Sequence, residues 1–143
     1  MANVNWFAWA ALSACFAALT AVFAKIGIQG VDSDLATLFR TAMIVVLLGL
    51  FVAWSGKWSN PFMLSTKTWT FLALSAAATG ASWVCYFRAL QMGDASKVAP
   101  VDKFSVVLVV LFAYVFLGER PSGREWGGIA LIASGVLVLA LKR

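Results

Sequence analysis

Charge is scarce in this sequence: 12% of its 143 residues are Asp, Glu, Lys or Arg, against 62% hydrophobic. An ordinary globular domain is roughly half apolar and about a quarter charged. A soluble fold of this length could not hide so much apolar surface, whereas hydrocarbon as solvent lets apolar side chains face outward. Histidine is absent altogether. With no glycine-rich phosphate loop and no base for a nucleophilic triad either, no catalytic constellation is visible, so neither enzyme chemistry nor a cofactor is expected. The two cysteines, Cys15 and Cys85, stand alone inside apolar stretches. They give neither a disulfide framework nor metal-ligand spacing, and read as small packing residues. The net charge is +5, but the basic residues form no run or stripe. They punctuate apolar segments, which argues for a lipid bilayer as partner and against nucleic acid.

What is abundant is long apolar sequence. Five segments are long enough to cross a hydrocarbon core of about 30 Å, which takes around 20 helical residues. They run over about 6–28, 35–54, 68–91, 96–117 and 124–141. The expected fold is therefore all-α: a polytopic membrane protein of five transmembrane helices, organised as one membrane domain over 1–143. The first 24 residues hold no Lys or Arg, and their apolar stretch is too long for a signal peptide, so segment 1 is expected to be retained as a helix.

The punctuation agrees. Gly30, Gly56, Gly93 and Gly118 each follow an apolar run, as glycines at helix C-termini do. Ser33 and Asp34 are suited to cap segment 2, and Ser65 or Thr66 segment 3. Ser122 and Glu125 form an S-x-x-E capping box at the start of segment 5. Pro100 falls in the first turns of segment 4, where it either starts the regular helix or kinks it. The longest connection is 55–67. Trp6, Trp9, Trp54, Trp58, Trp69 and Trp126 lie near segment ends, as an aromatic belt at headgroup level would, while Trp83 lies inside segment 3.

Loop charge barely fixes an orientation. Lys57, Lys67, Arg120 and Arg124 fall on the side of the N-terminus, and Lys97, Lys142 and Arg143 on the other. With Lys25, Arg40, Arg88 and Lys103 added the bias turns toward the second side, but those four fall within helices. So weak a bias permits insertion both ways up.

Ionisable groups inside a membrane helix are costly and mark function. Lys25, Arg40, Arg88, Asp102 and Lys103 qualify, and by their depth all five lie toward the side opposite the N-terminus. Asp102 and Lys103 are neighbours pointing about 100° apart, so Asp102 is expected to pair with a basic group on another helix. Arg88 shares a face with Ala77, Ala81 and Cys85, which suits close contact, and is expected to point into the bundle. Lys25 and Arg40 either take part in the site or snorkel to the headgroups. In segment 5, Gly128 and Gly135 stack two turns apart, with Gly127 and Ser134 beside them. Such a row suits either packing within the chain or contact between two copies.

The stretch YFRALQMGDASKVAPVDKFSVVLVVLFAYVFLGER, from Tyr86 to Arg120, resembles the EamA family of the drug/metabolite transporter superfamily. AKIGIQG at Ala24–Gly30, LFRT at Leu38–Thr41 and GGIALIASGVLVL resemble other parts of that family, so the likeness covers essentially the whole chain. It implies a transporter of small metabolites. Typical members resemble two five-helix repeats, the second inverted because each repeat has an odd number of helices. This chain corresponds to a single repeat, and the resemblance implies an antiparallel homodimer working by alternating access in the plasma membrane of a prokaryote. The last three segments also resemble the small multidrug resistance family, but segment 1 lacks that family's embedded glutamate, and Asp102 is the acidic residue left to replace it. On this reading the candidate substrate-binding residues are Lys25, Arg40, Trp83, Tyr86, Arg88, Asp102, Lys103 and Tyr114, and the substrates are carboxylates or phosphates with an apolar body, such as amino acids, moved outward. The competing expectations are a half-sized subunit of a heteromeric transporter or flippase, and an accessory helix bundle.

Overall fold

The computed structural model describes residues 5–141. Lys142 and Arg143, which enter the charge comparison, lie outside the described residues. Helices α1 (Trp6–Gly27), α2 (Ser33–Trp54), α3 (Thr66–Met92), α4 (Ala95–Asp102), α5 (Ser105–Phe112) and α6 (Gly123–Ala140) follow one another, with no strand among the described residues. A wide π-helical turn, Ala113–Leu117, prolongs α5, so that α4, α5 and this turn make one apolar span, Ala95–Leu117. With α1, α2, α3 and α6 that makes five helices long and apolar enough to cross a membrane.

The helices bury very little of themselves. Leu90 is fully buried and Ile28, Phe87 and Val136 nearly so, yet Leu47, Leu48, Leu50 and Phe51 of α2 are all more than half exposed. A helix that is apolar all round and meets few neighbours needs hydrocarbon around it. This is the outward face that the composition demands.

The chain divides into two compact units. The first, Val22–Met92, holds the end of α1 together with α2 packed along α3. The second joins the residues up to Ala21 with those from Gly93 onward, and in it α6 packs against α4 and α5.

Helix ends obey local chemistry. The cap of α2 is Asp32, whose Oδ1 accepts from the N–H groups of Asp34 at 2.9 Å and Leu35 at 3.0 Å. The expected caps, Ser33 and Asp34, already lie in the first turn, where a side chain can no longer reach the N2 and N3 amides. Ser65 caps α3, its Oγ accepting from the Thr68 N–H at 3.1 Å. The capping box at Ser122 and Glu125 forms as expected. Within the long connection, Asn60 accepts from the Phe62 N–H at 3.0 Å, setting up a short 3₁₀ turn at Pro61–Met63. Trp69 Nε1 donates to the Pro61 carbonyl at 3.2 Å and ties that turn to α3.

Pro100 lies inside α4 rather than at its start. It has no N–H for the carbonyl one turn back. The ladder then tightens: the Lys103 N–H is shared between the Ala99 and Pro100 carbonyls, and the Phe104 N–H reaches Val101 at 3.0 Å. Regular α-helix resumes at Ser105. At the far end the N–H groups of Gly118 and Glu119 both return to the Ala113 carbonyl, with Gly118 at φ +69°.

A side chain at that positive φ costs roughly 1–2 kcal/mol. Gly118→Ala is therefore expected to lower the thermal midpoint in detergent. Gly49→Ala, in mid-α2 with open space around the added methyl, should raise it or leave it unchanged because alanine is the better helix former.

Candidate functional site

Three polar contacts within the first unit fasten the α1–α2 connection to the C-terminal end of α3. Lys25 Nζ donates to the Leu90 carbonyl at 2.6 Å. Gln91 Nε2 donates to the Val31 carbonyl at 2.7 Å. Arg88 holds Asp34 with two parallel bonds, Nε to Oδ1 at 3.0 Å and Nη2 to Oδ2 at 2.6 Å. Leu90 is among the last residues of α3, whose carbonyls have no partner along the helix, so an ammonium there satisfies both the hydrogen bond and the helix dipole. Asp34 is likewise an acid in the first turn of α2, where the dipole favours it. Arg88 therefore faces Asp34 at the helix ends rather than the interior of the unit. Ala77, Ala81 and Cys85, the small residues of its face, are exposed, and the buried side of α3 carries Phe87 and Leu90.

Beside this clamp, α2 and α3 enclose a groove of about 590 Å³. Asp34 lies at its border, and Thr37, Thr41, Ser75 and Thr79 give it a row of hydroxyls among Leu38, Leu72 and Trp83. Thr37 donates to the Ser33 carbonyl at 2.7 Å, Thr41 to Thr37 at 2.7 Å and Thr79 to Ser75 at 2.9 Å. Their protons are spent on their own helices, so toward a ligand these oxygens are acceptors. The Arg40 guanidinium lies over the Trp83 ring, 4.4 Å from its centroid, and 5.4 Å from that of Phe87.

The second unit holds the remaining candidates. Lys103 Nζ pairs with Asp102 Oδ2 at 3.2 Å, against the expectation that Asp102 would find its cation on another helix. The 100° separation assumed an unbroken helix, and Lys103 stands where α4 ends. Tyr114 meets Trp126 edge-on, ring centroids 6.3 Å apart, which gives Trp126 an internal neighbour besides its place near a helix end. A second groove, about 480 Å³, runs between α5 and α6 past Glu119, Arg120, Glu125 and Gly128. A methyl added at Gly127, Gly128 or Gly135 would meet nothing within 4 Å.

Lys25, Arg40, Trp83, Tyr86 and Arg88 thus share the first unit, and Asp102, Lys103 and Tyr114 the second. Sequence reasoning missed Asp34 as an ion-pair partner, Gln91 as a link and the hydroxyl row. The row had a signal: Thr37 and Thr41, and Ser75 and Thr79, are each one turn apart inside apolar helices.

A model of the EamA-like transporter family matches residues 4–141. A Sinorhizobium sp. protein called "Uncharacterized transporter in cobO 3'region" is 53% identical over 137 residues, 96% of this chain and 97% of that protein. The Yersinia pestis (strain Pestoides F) protein named "Probable 4-amino-4-deoxy-L-arabinose-phosphoundecaprenol flippase subunit ArnE" is 34% identical over 73 residues, 51% of this chain and 64% of its own length. No solved structure matches.

The Asp34–Arg88 pair makes a testable unit. Asp34→Ala and Arg88→Ala should each lower the thermal midpoint in detergent, and the double variant should be no worse than the worse single. Additive losses would mean that the two side chains do not act together.

Proposed function

The chain belongs to the EamA-like transporter family, and on that premise we propose that it moves small organic metabolites, amino acids among them, outward across the plasma membrane of a prokaryote. It does so as a carrier, without catalytic chemistry, by alternating access. The observation that carries this reading is the α2–α3 groove, a row of hydroxyls between two membrane-crossing helices beside an intramembrane guanidinium. Polar groups at that depth are costly in hydrocarbon and are the usual marks of a substrate path.

We take the working form to be an antiparallel homodimer. Five spans per chain put the two ends of a copy on opposite faces, so a copy inserted the other way up supplies the inverted repeat such carriers use. The weak charge bias permits both insertions, and the glycine face of α6 has open space for a close neighbour.

A second reading has its own support. The Yersinia relative is named as a subunit of a flippase, which favours a heteromeric assembly with a different half-sized chain. Two reporters fused after the last residue, one active only in the cytoplasm and one only outside, separate the two. Comparable signals from both are expected for the homodimer, together with efflux of a radiolabelled amino acid from proteoliposomes holding this chain alone. Signal on one side only, with no flux until an unlike small membrane protein is added, would replace the homodimer with the heteromer.

A further inference from the structure

Of the basic side chains within the membrane helices, Lys25, Arg40, Arg88 and Lys103 are the candidates for the site, and three of these four are engaged. Arg88 is held by Asp34 through two bonds, Lys103 lies against Asp102, and Lys25 closes the end of α3 at the Leu90 carbonyl. Arg40 is different. Among the described residues no carboxylate lies within ion-pair distance of its guanidinium. Its neighbours are the rings of Trp83 and Phe87, with Tyr86 near enough to act on its charge.

Its position argues against simple escape to the headgroups. The guanidinium is stacked on Trp83, about 14 Å short of the α3 end at Met92 at 1.5 Å per residue. A cation over an aromatic face keeps its charge and loses little of its hydrogen-bonding capacity, because ring faces accept no N–H in the plane of the fork. Five donors thus stay available at depth, beside a ring that forms part of the groove wall. In the same groove the oxygens of Thr37 and Thr41 on α2 and of Thr79 on α3 are acceptors, since their protons go to their own helices.

We propose that Arg40 is the anion-receiving group of the α2–α3 groove, and that the groove takes a molecule with a carboxylate or phosphate for Arg40 and an amine or hydroxyl donor for the Thr37, Thr41 and Thr79 oxygens. The inference rests on the transporter reading and refines it by substrate class. It moves the anion site from Arg88 and Lys103, whose charges are already matched, to Arg40. A planar guanidinium binds either anion through two parallel bonds, so a free metabolite and a lipid headgroup satisfy the same chemistry.

The test uses the purified chain in neutral phosphatidylcholine bilayers and reads the thermal midpoint against L-alanine, L-leucine, L-phenylalanine and phenyl phosphate, with L-phenylalaninamide as the probe lacking the anion. At least one anion should stabilise saturably, and the amide should be about tenfold weaker or inert. Arg40→Gln should weaken the anion about tenfold or more, while Arg40→Lys, which keeps the charge without the fork, should fall between. Lys57→Gln, in the α2–α3 connection, controls for general charge. If phosphatidylglycerol added to the bilayer raises the wild-type midpoint and not that of Arg40→Gln, a lipid phosphate occupies the site. If soluble anions alone act, a free metabolite does. The proposal is overturned if no anion and no anionic lipid stabilises the protein, if the amide binds as well as the acid, or if Arg40→Gln responds as the wild type does. Flux measured in parallel keeps the two failures apart: transport that survives Arg40→Gln sinks this inference and leaves the carrier standing, whereas flux absent in the wild type both alone and with an unlike small membrane protein added sinks the carrier itself.

Discussion

The clamp at the end of α3 is the contact on which the first unit depends. The last carbonyls of a helix have no partner along it, and where water does not reach them one must come from the chain itself. Lys25 meets that demand at the Leu90 carbonyl, Gln91 reaches the Val31 carbonyl of the α1–α2 connection, and the Arg88–Asp34 pair adds two bonds across the same end. Together they fix the register of α2 against α3 near its end, where Phe87 and Leu90 are also buried. They also decide where charge is left over. The acid at the start of α2 is consumed by Arg88, and Arg40, further along the same helix, has the Trp83 and Phe87 rings and Tyr86 beside it and no carboxylate in ion-pair distance among the described residues. A structural requirement at the end of one helix thereby leaves an available cation beside the groove between two.

Packing supplies less than it would in water, because lipid tails are as apolar as leucine and no hydrophobic drive brings membrane helices together. That explains how so few side chains are buried while so many large apolar ones face outward. Precise local chemistry carries more of the specification. The cap at Asp32, the capping box at Ser122 and Glu125, and the double return to the Ala113 carbonyl at Gly118 each satisfy groups that would otherwise be stranded. Irregular backbone occurs at Lys103–Phe104 and at Ala113–Leu117, both within the Ala95–Leu117 span. Such breaks are tolerated in membranes where neighbouring groups take up the freed bonds.

Much of this could be read from the residues. Length and hydropathy place all five spans within a few residues, because a membrane helix must be long and apolar whatever its neighbours. Ser65 and the Ser122 box were visible because caps are local. What depended on a partner was not. Asp34 reads as a cap until Arg88 is brought beside it, fifty-four residues away in the chain. Asp102 and Lys103 read as incompatible neighbours as long as segment 4 is taken as one regular helix, and Pro100 was the sign that it is not. The exposure of the Ala77–Ala81–Cys85 face was equally hidden, since small residues mark a close contact without saying whether it lies within the chain.

Asp34 engages Arg88, which on the proposal above leaves Arg40 to receive an anion. Nitrogen-15 spectra of the arginine side chains in bilayer discs, assigned by single substitutions, report both halves at once. The Arg88 Nε–H should exchange slowly with water and ignore added benzoate, while the Arg40 signal shifts with benzoate and not with benzamide. An Arg40 signal indifferent to benzoate beside an Arg88 signal that moves would contradict the account and return the anion site to Arg88.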